Sequence, residues 1–222
     1  MTPKGIDAGT ARTFVAANTE VLSPPLLPEL RLHLASEITP IWMASEAMLA
    51  AVNVPPPYWA FAWSGGQALA RYLLDHPERV CGRDVVDFGA GSGLIAISAA
   101  RGLARRVRAA EIDPVALAAI GLNAALNSVA VEALAGDLIG ADPGADLVLV
   151  GDLCYEKPLA ERLVAWLRDL ARRGVEVLLG DPGRAYVPVS GLVELARYAV
   201  PTSIELEDRS IRESIVWKLK PE

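Results

Sequence analysis

Residues 85–93 constrain this chain more than any other segment. Val85-Val86-Asp87-Phe88 reads as a buried strand and runs directly into Gly89-Ala90-Gly91-Ser92-Gly93, after which Leu94-Ile95-Ala96 opens an apolar helical pattern. Glycine reaches positive φ without steric cost and has no Cβ, so such a turn lets backbone N–H groups close on a ligand at a helix N-terminus. An ordinary tight β-α turn seldom needs three alternating glycines. The spacing also separates nucleotide folds. A dinucleotide fingerprint requires G-x-G-x-x-G, whereas here Leu94 stands in the third glycine's place and Gly93 comes one residue early. A P-loop requires Lys-Ser or Lys-Thr after its glycines, and neither follows.

From Arg83 onward, strand-like runs alternate with helical stretches. Asp84 to Phe88, Arg106 to Ile112, Val131 to Ala135, Leu147 to Val150 and Val175 to Leu179 read as strands, and Leu94 to Leu103, Pro114 to Asn127 and Leu159 to Arg173 as helices. Repeated β-α units of this kind make an α/β fold with a mostly parallel sheet and helices on both faces. Beyond them a helix is predicted over Val189 to Tyr198. Ser203 to Leu206 and Ser214 to Leu219 then read as two strands that close the sheet with an antiparallel edge. Upstream, Leu30 to Leu49 carries helical spacing interrupted by Pro40, Val54-Pro55-Pro56-Pro57 forms a stiff connector, and a helix is expected from Gln67 to Leu74. The chain therefore divides into an N-terminal helical extension with its connector, 1–57, and an α/β domain, 58–222.

Composition narrows the function. A chain of 222 residues suits one catalytic unit. The formal charge is −6 with basic residues dispersed, which argues against binding phosphate backbones, so nucleic acid is not an expected partner. No apolar run approaches a membrane span, and Met1 to Thr13 lacks the apolar centre of a secretory signal. No membrane association and a cytoplasmic location are the expectation. Cys81 and Cys154 lie far apart, outside any C-x-x-C pair, and His33 and His76 sit in helical patterns among polar neighbours. A metal site is not expected.

Asp87-x-Gly89-x-Gly91-x-Gly93 resembles motif I of class I S-adenosylmethionine (SAM) methyltransferases. That resemblance implies a SAM site at the glycine turn, with Asp87, Gly89, Ala90, Gly91 and Gly93 contributing. It also implies an acidic residue at the end of the second strand that accepts hydrogen bonds from the ribose. Ala110-Glu111-Ile112-Asp113-Pro114 supplies it about twenty residues on, the separation of a βαβ unit. Glu111, with Ile112 beside it, is the ribose candidate, because Asp113-Pro114 fits a helix N-cap followed by Pro at the first helical position. Asp137 and Leu138, after the third strand, match the segment that meets the adenine. At the fourth strand's end, Asp152-Leu153-Cys154-Tyr155 lacks the Asn/Asp-Pro-Pro-Tyr/Phe of enzymes acting on glutamine amides or base amino groups. It resembles the Asp-x-x-Tyr of a lysine-directed subfamily. Asp152 and Tyr155 are thus the catalytic candidates, the plainer alternative being an N-cap aspartate and a packed tyrosine.

Two further segments sharpen the match. Pro57-Tyr58-Trp59-Ala60-Phe61-Ala62-Trp63-Ser64-Gly65-Gly66-Gln67-Ala68-Leu69-Ala70-Arg71-Tyr72-Leu73-Leu74 and Leu179-Gly180-Asp181-Pro182-Gly183-Arg184 resemble the electron transfer flavoprotein β-subunit lysine methyltransferase family. The likeness runs from about Pro24 to Trp217. It implies a seven-stranded SAM-binding sheet, an aromatic segment closing over the cofactor with Trp63, Ser64 and Gly65 flanking it, and methyllysine on the flavoprotein as product. Trp59 fits either core packing or the cofactor wall, and Arg184 is a candidate for orienting its loop or meeting acidic substrate residues. The alternatives are methylation of another protein, such as a ribosomal protein, and a SAM-binding regulator without turnover. A monomer is expected.

Overall fold

The computed structural model describes residues 6–36, 40, 41, 43 and 56–221. In chain order these form α1 (Ala8–Asn18), β1 (Glu20–Leu22), β2 (Leu32–Leu34), α2 (Ser64–Asp75), β3 (Asp84–Phe88), α3 (Leu94–Arg101), β4 (Arg106–Glu111), α4 (Pro114–Leu126) and β5 (Glu132–Ala135). There follow β6 (Leu147–Gly151), α5 (Lys157–Arg172), β7 (Glu176–Asp181), β8 (Leu192–Pro201), α6 (Ile204–Glu207) and β9 (Ile211–Leu219). The main sheet has seven strands in the order β5-β4-β3-β6-β7-β9-β8. The antiparallel pair that closes it is β9 with β8: β9 runs against both its neighbours, and β8 is outermost.

The strand order reverses between β3, whose neighbours are β4 and β6, and the chain therefore opens a crevice at the carboxyl ends of those strands. Ligands of open α/β sheets bind at such a switch point. Each central strand is buried on both faces. Val85, Leu147 and Leu149 pack with Leu69 and Leu73 of α2 and Ile97 of α3, whereas Val86, Val148 and Val150 pack with Leu163, Trp166 and Leu167 of α5. That double burial is why β3 and β6 read as continuous apolar runs rather than alternating ones.

Described residues before Pro56 are fastened to α4. Val15 of α1 and Ile41 share a buried cluster with Trp59, Val115, Ala116 and Ala119, and the backbone N–H groups of Arg31 and His33 donate to Asn127 and Asn123 at 3.1 and 2.7 Å. Where helix was expected within Leu30 to Leu49, Leu32–Leu34 instead pairs with Glu20–Leu22 as a small antiparallel hairpin that carries His33. Residues 37–39, 42 and 44–49 of that prediction, and Val54 and Pro55 of the connector, lie outside the described residues.

Two further expectations are corrected at the far edge. The segment predicted as a helix over Val189 to Tyr198 is mostly strand β8. A bulge between Glu194 and Ala196 leaves Leu195 unpaired, which breaks the two-residue alternation and spaces the apolar side chains as a helix would. The expected strand Ser203 to Leu206 is the single turn α6, started by Ser203, whose hydroxyl accepts from the Leu206 N–H at 3.2 Å. Among the described residues no helix is long and apolar enough to cross a membrane.

Candidate active site

A cavity of about 660 Å³ opens at the carboxyl ends of β3, β4 and β6. On one side its wall is the turn after β3, where Gly89, Gly91 and Gly93 hold φ of +67°, +51° and +80°. A Cβ on Gly93 would come within 3.2 Å of the Ile120 side chain, but one on Gly91 would meet nothing nearer than the Trp59 Cα at 3.6 Å. The turn therefore presents bare backbone to the cavity. Glu111, at the end of β4, stands across from it. Its carboxylate accepts from the Gly91 N–H at 2.9 Å through one oxygen and from the Ile112 and Asp113 N–H groups at 2.7 and 3.2 Å through the other. Asp113 caps α4 by accepting from Val115 N–H at 2.8 Å. Asp137 pairs with Arg162 of α5 at 2.7 Å, and both line the cavity.

The opposite wall is made of charged and aromatic side chains. Asp152 follows β6 in the left-handed region, at φ +57°, a conformation that Asp tolerates better than most residues. Its N–H donates to the Gly180 carbonyl at 3.0 Å. The carboxylate, 8% exposed, accepts from Gly66 N–H at 2.6 Å on one oxygen and from Arg184 Nε and a terminal Arg184 nitrogen at 3.1 and 2.7 Å on the other. Close approach of α2 to β7 makes this possible. A Cβ on Gly65 would lie 2.4 Å from the Gly180 oxygen and one on Gly180 would lie 2.2 Å from the Gly65 oxygen, so only glycines let the first turn of α2 reach Asp152. Burial pushes the Asp152 carboxyl up to about 7; Arg184 opposes the rise, and Asp181 and Glu207 add to it.

Arg184 is itself held from three sides. Asp181 accepts from the Gly183 and Arg184 N–H groups, both at 2.7 Å, and so folds the loop after β7. The guanidinium lies over the Trp63 ring, 5.4 Å from its centre, and reaches Glu207 at 3.3 Å. Tyr58 links the aromatic rings, at 6.0 Å from Trp63 and 5.8 Å from Tyr155. Trp63 Nε1 donates to the Tyr58 carbonyl at 2.8 Å, fixing the indole. The result is an aromatic mouth beside a buried carboxylate.

A family profile described as "Ribosomal protein L11 methyltransferase (PrmA)" matches residues 68–153, from α2 to the turn after β6. Over nearly the whole chain the similarity is to proteins named electron transfer flavoprotein beta subunit lysine methyltransferase. The Xenopus laevis protein is 39% identical over 99% of this chain and 91% of its own length, and the Homo sapiens protein 36% identical over 95% and 82%. The chain belongs to that family. The fold agrees with two solved structures. Magnesium protoporphyrin IX methyltransferase (ChlM) from Synechocystis PCC 6803 with bound SAH has a TM-score of 0.51 at 18% identity, covering 68% of this chain and 79% of that one. Ribosomal protein L11 methylase from Lactobacillus delbrueckii subsp. bulgaricus has a TM-score of 0.50 at 22% identity, covering 72% and 81%.

In this member of the lysine methyltransferase family, Trp63, Gly89, Gly91, Glu111, Ile112, Asp137, Asp152 and Tyr155 all line the cavity. Other residues singled out in the sequence stand behind its wall. Asp87 is buried and accepts from Ala96 N–H at 3.0 Å, capping α3 from within. Ser64 is buried with its N–H and hydroxyl on Glu207 at 3.2 and 2.9 Å. Gly65 is wedged against Gly180, Gly93 against Ile120, Ala90 joins the core beside α2 and α3, and Leu138 packs on the α5 side of the sheet. Sequence reasoning missed Arg162 and Glu207 and understated Arg184. Arg184 had a signal in the Asp-Pro-Gly turn after β7. Glu207 had none, being one acid in the charged stretch Glu205 to Arg209.

Proposed function

We propose that this chain uses SAM to methylate lysine side chains of the electron transfer flavoprotein β-subunit, with Asp152 aiming the lysine. The observation that carries the reading is the placement of the Asp152 carboxylate. It sits in the wall of the same cavity that holds the glycine turn and Glu111, beside the aromatic mouth of Tyr58, Trp63 and Tyr155. The cofactor fits the opposite wall. The turn at Gly91 leaves open space before it, and the Glu111 carboxylate stands at the strand end where a ribose is held in dinucleotide folds. Gly89, Gly91, Glu111, Ile112 and Asp137 would hold SAM directly, and Asp87, Gly93 and Leu138 would shape the turns that present them. Bound there, SAM supplies a methyl group on a positively charged sulfur.

The chain's own residues do the rest by alignment. An ionised carboxylate offers about four acceptor positions, and Gly66 with Arg184 fills three on Asp152. The remaining one accepts from a lysine nitrogen that has passed the aromatic rings. A free lysine, of pKa about 10.4, must lose its proton before it attacks. Desolvation in the mouth and the adjacent positive sulfur both favour the neutral amine, whereas Asp152 alone favours the ammonium. Asp152 therefore captures and orients the lysine, and the amine, with its pKa lowered, gives its proton to water before transfer.

The ribosomal protein L11 methyltransferase profile matches 68–153, and an L11 methyltransferase from Actinobacillus succinogenes aligns over 42% of the chain. Likeness to the flavoprotein enzymes extends through Arg184 and β9. That difference supports the flavoprotein as substrate, and the net charge of −6 supports a protein rather than a nucleic acid. We further expect a cytoplasmic monomer. The test is to mix the enzyme with labelled SAM and purified flavoprotein and locate the added mass by peptide mass spectrometry. Label on β-subunit lysines is the expected result. An unlabelled flavoprotein beside a labelled ribosomal protein or labelled nucleic acid would overturn the assignment.

A further inference from the structure

Glu207 comes from α6, in the crossover between β8 and β9, yet its side chain is buried against the first turn of α2. It accepts from Ser64 N–H and Ser64 Oγ, pairs with Arg184 at 3.3 Å and lies 3.6 Å from Arg212 of β9. Arg184 in turn spans Glu207 and Asp152 through one terminal nitrogen. Asp152 and Glu207 thus share Arg184, Glu207 also approaches Arg212, and Asp181 holds the Arg184 loop through the Gly183 and Arg184 N–H groups.

We propose that Glu207 is a positioning residue for methyl transfer: it anchors Arg184 so that Asp152 keeps one acceptor position turned to the cavity. The inference rests on the reading of Asp152 as the group that aims the lysine. Without Glu207, the guanidinium is free to turn wholly onto Asp152 and fill the position the substrate needs. The groups facing Asp152 are Gly66 N–H from α2, Asp181 and Arg184 from the end of β7, and Glu207 from α6. On its own loop, burial pushes the Cys154 thiol up to about 12 and raises the Tyr155 phenol, so both stay neutral near pH 7.

Glu207→Gln keeps the shape and the Ser64 acceptor and removes the charge. Expected are unchanged SAM affinity by calorimetry and a fall of about tenfold in kcat/KM for the flavoprotein. The acid limb of the pH profile should move to lower pH, because one carboxylate that raised Asp152 is gone and Arg184 turns further toward it. A merely structural role would not move that limb, so an unmoved limb overturns the proposal. Arg184→Lys is the second variant, since an ammonium lacks the Nε–H and the planar fork that put two donors on Asp152 while a terminal nitrogen also reaches Glu207. It should lose about tenfold in kcat/KM at unchanged SAM affinity, and adding Glu207→Gln to it should cost far less than the product of the two single losses. Should Glu207→Gln not fold, wild-type kinetics in Arg184→Lys overturns the proposal alone. Asp152→Asn, assayed in parallel, separates the failures. Wild-type turnover there sinks the role of Asp152 itself, whereas an inactive Asp152→Asn beside unaltered Glu207→Gln and Arg184→Lys sinks only the role of Glu207.

Discussion

On the β3–β5 side, the cavity is walled chiefly by backbone: a glycine turn at positive φ, with Glu111 satisfied by three N–H groups of its own and the neighbouring turn. On the β6–β7 side it is walled by side chains, Asp152 and Arg184 among them, which Glu207 of α6 and Ser64 of α2 brace from behind. A backbone wall is fixed locally by sequence neighbours. A side-chain wall is fixed only when distant segments meet, so it is the more sensitive to single substitutions and the freer to diverge.

That contrast breaks most directly at Asp152. Asp152→Asn should cut methyl transfer by roughly tenfold to a hundredfold, the worth of one or two charge-assisted hydrogen bonds, while leaving SAM affinity intact. Single-turnover kinetics with a parallel binding titration reads both. Loss of SAM binding in this variant would mean that the two walls are not separable. The converse substitution, Glu111→Ala, should weaken SAM by about tenfold, with transfer restored at saturating cofactor. Persistence of full affinity would show that the βαβ register places a different group at the ribose.

A third change sharpens the comparison through pH. Burial pushes the Asp87 carboxyl up to about 7 from 3.8, with the Ala96 N–H opposing and Glu111 adding to it. A raised carboxyl contributes stability that is full below the unfolded value and is lost as pH rises through the folded one. The midpoint of thermal unfolding should therefore fall between about pH 4 and 7, and Asp87→Asn should flatten that part of the curve. An identical slope in both proteins would remove Asp87 as its source. The smallest effect belongs to Tyr155→Phe, which keeps the ring contact with Tyr58 at 5.8 Å and should change kcat/KM by less than about threefold. A larger loss would give the phenol a role in the chemistry.

The same division explains what could be read from sequence. Asp87 to Gly93 and Glu111 announce themselves because backbone walls depend on residue types at fixed local spacing, and the strands from β3 to β7 follow because each is a short apolar run between turns. The Asp152–Tyr155 pair was legible by its place at a strand end. Glu207 was not, since nothing within several residues of it signals burial, and its importance arises from Ser64, 143 positions away. The far edge failed for a related reason. The Leu195 bulge is a response to pairing with β9, and no local pattern distinguishes it from a turn of helix.

The insertion of β9 between β7 and β8 has a consequence for how the enzyme comes into being. Every strand from β3 to β7 has parallel partners that precede β9 in the chain, so the half proposed to receive SAM can assemble on a growing chain before β9 is made. Glu207 is presented by the crossover into β9, and Arg212 stands on β9 itself. The lysine-facing cluster is completed only when this strand slides into its slot, a contact of long sequence separation and hence a late one. A nascent chain would thus acquire the means to hold its methyl donor before it acquires the means to spend it on another protein.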